Sequence, residues 1–87
     1  MSKHTKGPWK QHASNRQIVV DDKGFGVAEL YTQNNEVEHE ANARLISSAP
    51  EMLEALHSAR IVLHNSAPDS MGYQLVLDAI KKAEGNE

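Results

Sequence analysis

A chain of 87 residues has room for one small domain, and at that size only about 60–65% of the unfolded surface is buried, which leaves a thin stability margin. It contains no cysteine, which excludes a disulfide framework and a thiolate metal site. The formal charge of −3 is uneven: residues 1–23 carry five Lys or Arg against two Asp, and the remainder carries four basic and ten acidic side chains, so a basic face is confined to the N-terminal third.

No run approaches about 18 consecutive apolar residues, and the opening "MSKHTKGPWK" lacks the apolar core of a signal peptide. With the missing cysteines, this predicts a soluble cytoplasmic protein.

The first elements read as strands. Gly7-Pro8 precedes "PWKQHA", and proline is at home at a strand entry because it cannot donate to a ladder. Ser14-Asn15 suits a turn, and "RQIVV" follows with three β-branched residues. "DDKG" is the next turn, with Gly24 free to take positive φ, and "FGVAELY" completes a hairpin. A three-stranded antiparallel meander over 7–31 is the prediction, and such a sheet needs cover on one face.

Helices follow over 37–84. "TQNNEVEHE" is polar, and its acids belong near the positive pole of a helix start. The segment "EANARLISSAPEMLEAL" is helical in pattern with Pro50 in its middle. Interior proline costs about 3 kcal/mol, whereas proline in a first turn costs almost nothing. One helix therefore stops near Ser47 and another starts at Pro50, capped by Ser48 or Ala49. The second presents Met52, Leu53, Leu56, Ala59 and Leu63 as an apolar stripe. The third starts near Pro68, capped by Ser66 or Asp69, and stops at Gly85. The expected architecture is α+β, one domain over 1–87, with the last two helices on one sheet face, the first helix as a bridge and loose ends at 1–6 and 85–87.

No catalytic signature is present, so no catalytic residue is assigned and the chain is read as a non-enzyme. "GFG" is a fragment of a dinucleotide fingerprint in the wrong context, a hairpin. His57 and His64 lie about 10 Å apart along a helix, too far for one ion, and His39 beside Glu36 and Glu40 is at best a weak site. The five histidines are expected to be solvated, with no metal and no cofactor. Trp9 and Pro50 are expected to be structural, as are Leu45, Leu53 and Leu56. Arg44 either clamps an anion or, as preferred, pairs with Glu40 one turn earlier. The polar, amide-rich loop over 32–40 is the best place for recognition.

"HTKGPWK", a short sheet, then "EANARLISSAPEMLEAL" resembles a family of small proteins from tailed bacteriophages and prophages, in which GPW precedes an EANARLI–AP–LLEAL segment. The resemblance covers about residues 4–57. It implies a bacterial host's cytoplasm and an accessory role, and it carries over no site residues. Proteins in that setting commonly act by binding a host or defence protein or by sequestering a signal molecule. The binding surface is placed at Lys10, Arg16, Asn34, Asn35 and Arg44. Two other readings stand beside it: a sponge for a nucleotide-like small molecule held between protomers, and a nucleic-acid-binding regulator using the basic N-terminal strands. Self-association is expected because so small a sheet leaves apolar surface for a second copy.

Overall fold

Three β-branched residues in a row make the centre of the sheet in the computed structural model, which describes residues 3–31 and 36–85. They form β2 (Ile18–Val20), flanked by β1 (Lys10–Gln11) and β3 (Gly26–Glu29) in the order β1-β2-β3. Both pairings are antiparallel. Lys10 stands opposite Val20 and Gln11 opposite Val19, while Ile18 faces Glu29 and Val19 faces Ala28. The predicted meander is observed, with strands shorter than the sequence runs. The His12 ring explains the first stop: its Nδ1 accepts the amides of Ser14 and Asn15 at 3.0 and 3.2 Å, so the chain turns instead of extending. The turn after β2 rests on Asp21, which is only 9% exposed. Its Oδ1 accepts from Lys23 N and Phe25 N, both at 2.9 Å, and Gly24 supplies the positive φ of 89°.

By contact density the chain divides into two compact units, residues 5–51 and residues 52–87 with 1–4. The first holds the sheet and α1 (Glu36–Ser47), which packs against β1 and β2. Ala43, 0% exposed, supplies the small face that lets a helix approach a sheet, and Val19, also 0% exposed, is the sheet's most buried residue. The helix expected to bridge is thus the one that covers strands. Leu45, expected among the structural residues, is 61% exposed on α1.

The break at Pro50 is as predicted: α1 ends at Ser47 and α2 (Ala49–Ser66) carries Pro50 in its first turn. The expected cap is not what Ser48 provides. Its Oγ donates to the Arg44 carbonyl at 3.0 Å and its amide reaches the Arg44 and Leu45 carbonyls, so Ser48 finishes α1 rather than starting α2. Pro50 is buried, and Gly7 lies directly against it: a β-carbon on Gly7 would sit 2.7 Å from Pro50 Cβ and 3.0 Å from Cγ. Trp9 is half-buried in the same unit, its Nε1 donating to Thr5 O at 3.1 Å.

In the second unit the rest of α2 and α3 (Met71–Glu84) run antiparallel. His57 Nε2 meets Glu84 Oε2 at 2.9 Å, and His64 Nδ1 meets the Tyr73 hydroxyl at 3.0 Å with the rings tilted at 50°. Histidines expected in solvent are therefore engaged, because helix pairing brings them opposite acceptors and donors that the sequence holds far away. Leu53, Leu56 and Leu63 are half-buried, but Met52 of the same predicted stripe is 43% exposed. The cap of α3 is Ser70, in place of Ser66 or Asp69: its Oγ accepts from Tyr73 N at 3.1 Å and donates to Ala67 O at 2.8 Å. Gly85 closes the helix at φ 74°, its amide bonded to Lys81 O. Ser70→Ala is expected to cost about 1 kcal/mol, read from thermal unfolding by circular dichroism, and an unchanged midpoint would deny the cap. No helix among the described residues is long and apolar enough to cross a membrane.

Candidate binding groove

The residues before β2 are short and polar, so their backbone groups are satisfied by neighbouring side chains rather than by a ladder. Asn15 Oδ1 accepts from Gln17 N at 3.0 Å and Asn15 O accepts from Ile18 N at 3.1 Å. Both amides at Ser14 and Asn15 are taken by His12 Nδ1, which leaves the ring hydrogen on Nε2. The loop is thereby held against α1, and an open groove of about 530 Å³ runs between them. Ser14, Asn15, Arg16 and Gln17 line one side, and Val37, His39 and Glu40 line the other. That volume lies in the range of small-ligand and peptide sites.

The two walls are joined by polar pairs. Arg16 Nε lies 2.8 Å from Glu40 Oε1, and its Nη2 donates to Gln11 Oε1 at 3.1 Å, while Gln11 Nε2 returns a bond to Arg16 O at 3.2 Å. Gln17 Nε2 lies 2.6 Å from His39 Nδ1. The Arg16–Glu40 pair is about half exposed, so it orients the guanidinium more than it stabilises the fold; such pairs are worth up to about 1 kcal/mol.

Of the predicted binding residues, the groove takes in Arg16 alone. Lys10 is exposed on β1 and Arg44 is exposed on α1, and neither lines it. Asn34 and Asn35 lie outside the described residues. The expected Glu40–Arg44 pair is replaced by Glu40–Arg16, because the packing of α1 on the sheet brings the loop arginine across the helix start. Val37, His39 and Glu40 fall within the 32–40 segment read as the place for recognition, whereas Gln17 went unread as a wall residue and Ser14-Asn15 read only as a turn. The one signal for them was a polar run placed directly before a β-branched strand. Among the described residues no three His, Asp or Glu side chains converge as metal ligands.

Fold and groove together define a small α+β protein with a polar, charge-paired recess against a helix start. The chain belongs to the family described as Salmonella phage P22 protein Y8K6, whose model matches residues 1–87, and it is a phage protein on that ground. No curated protein and no solved structure matches it.

Proposed function

We propose that this phage protein acts by binding, without catalysis, in the bacterial cytoplasm, and that the groove receives a segment of a host protein, a component of anti-phage defence being the class its origin favours. The observation that carries this reading is the pre-arranged wall: Arg16 held between Gln11 and Glu40, and Gln17 held against His39. Groups already oriented lose little entropy when they meet a ligand. A peptide can exchange amide and carbonyl bonds with such a wall, and the exposed Val37 at its rim, 75% accessible, offers apolar contact. A phosphate would have to compete with Glu40 for Arg16, and the nearby loop amides are already bonded. That ranks nucleotide-like ligands and nucleic acid below a polypeptide.

The test is capture from host extract by the tagged chain, alongside the Arg16→Ala/Gln17→Ala double variant and a remote control, Lys82→Ala. A host protein retained by the chain and by the control, and lost with the double variant, is the expected result. Equal recovery with all three would remove the groove from the account. Binding of DNA or RNA that weakens steeply with salt would favour the regulator instead.

A further inference from the structure

The helix pair within residues 52–87 has a seam but little core. Among its described residues Ile80, at 7%, is the one buried apolar side chain, and Leu56, Leu63 and Leu77 are half-buried. Fewer than about 40 residues rarely hold a fold without a disulfide, a metal or a second copy. The pair also has two unlike faces. His57 and His64 reach across one of them to Glu84 and the Tyr73 hydroxyl, at 2.9 and 3.0 Å, and Gln74 bonds Asp78 on the same side. At 3.6 residues per turn, Ala55, Ala59 and Val62 of α2 and Leu75, Ala79 and Ala83 of α3 come to the other. That face carries no charge, and its Val62 and Leu75 are each 62% exposed. Glu54 stands at its α2 edge and Lys82 at its α3 edge. Both are exposed, and among the described residues neither is paired within its own chain.

We propose that this face meets the same face of a second copy, about a two-fold axis along the helices, making a four-helix bundle. The axis lays α2 of each copy on α3 of its partner and brings Glu54 beside Lys82 of the partner subunit, twice over. It leaves height along the helices unchanged, so the levels set by His57–Glu84 and His64–Tyr73 carry across the interface. Ala55 then falls opposite Ala83 of the partner subunit, and Ala59 opposite Ala79 of the partner subunit. Alanine on alanine lets the helices approach to the short end of the usual 8–10 Å between axes. The positive pole of each α2 also lies against the negative pole of the facing α3. A foreign helix would have to supply both the small surface and the two opposite charges, and a second copy brings both. None of the groove residues takes part.

Full-length variants test the pairing. Ala79→Glu puts a carboxylate into the middle of the face at an exposed position, which a single chain tolerates and the dimer does not. Losing one edge pair, as in Lys82→Ala, costs little beside this. Ala55→Cys and Ala83→Cys each put a single thiol into a cysteine-free chain. Helix axes 8–10 Å apart bring facing Cα atoms to about 4–6 Å, within disulfide reach, whereas two copies of either position lie diagonally across the bundle. Sedimentation should show the unaltered chain as a dimer and Ala79→Glu weakened roughly tenfold or more, with its circular dichroism spectrum unchanged. Oxidising the two cysteine variants together should give a covalent dimer that neither gives alone. A chain monomeric at every concentration would mean that another part of the same chain, or solvent, covers the face, and would overturn the proposal. So would a dimer indifferent to Ala79→Glu, or mixed cysteines that fail to cross-link.

Discussion

Gly7→Ala is expected to destabilise the protein by roughly 2–3 kcal/mol, one of the two largest effects of any single substitution considered, by overpacking. The added carbon would meet Pro50 Cβ at 2.7 Å and Cγ at 3.0 Å. A flexible side-chain end could swing aside, but these atoms belong to a stiff ring that is buried and fixed by the first turn of α2. Relief must come from moving the backbone of either segment. For a domain of this size the loss corresponds to a fall of about 10–20 °C in Tm. A double-mutant cycle identifies the cause: in a Pro50→Gly background the ring atoms are gone, and Gly7→Ala should cost clearly less. Equal costs in both backgrounds would show that the ring is not what the new carbon meets. Pro50→Ala alone should cost about 1 kcal/mol, since it removes buried ring carbons and the preset φ while leaving Cβ in place.

Val19→Ala is the second large effect, expected at about 2–3 kcal/mol. Val19 is 0% exposed and lies on the central strand, between Gln11 and Ala28. Removing two methyl groups forfeits their transfer from water and leaves a space that a three-stranded sheet closes only in part. The matched control is Val37→Ala at a site 75% exposed, expected within about 0.5 kcal/mol. Urea unfolding should show a lower midpoint for Val19→Ala at an unchanged slope. Equal midpoints for the two variants would mean that Val19 is not part of a packed core.

The contact between Gly7 and Pro50 joins two segments far apart in the chain, GPW and SSAPEM. Each segment was readable on its own terms: proline at a strand entry, proline in a first helical turn. That the two touch was not readable, because Pro50 lies 43 positions after Gly7 with four elements between them. The groove follows the same pattern. Arg16 was singled out as a cation available for binding and Glu40 as the expected partner of Arg44, but the Arg16–Glu40 and Arg16–Gln11 pairs were not read, and Arg44, one turn from Glu40, is left exposed. The cap of α3 failed by a smaller margin: Ser66, Asp69 and Ser70 all cap well in isolation, and the choice of Ser70 depends on its hydroxyl also reaching Ala67 O.

The sequence by itself determined the strand-rich first third, the turn at Asp21–Gly24, the division of the helical region at Pro50 and the stop at Gly85. Each of these depends on φ/ψ preferences and on bonds within four residues, which are local properties of the chain. Only the tertiary structure decided that α1 covers β1 and β2, that Arg16 and Gln17 meet Glu40 and His39, and that His57 and His64 bond across to α3. Those outcomes turn on which surfaces pack. Packing energy is shared among residues distant in sequence, and no local preference of any one of them specifies its partner.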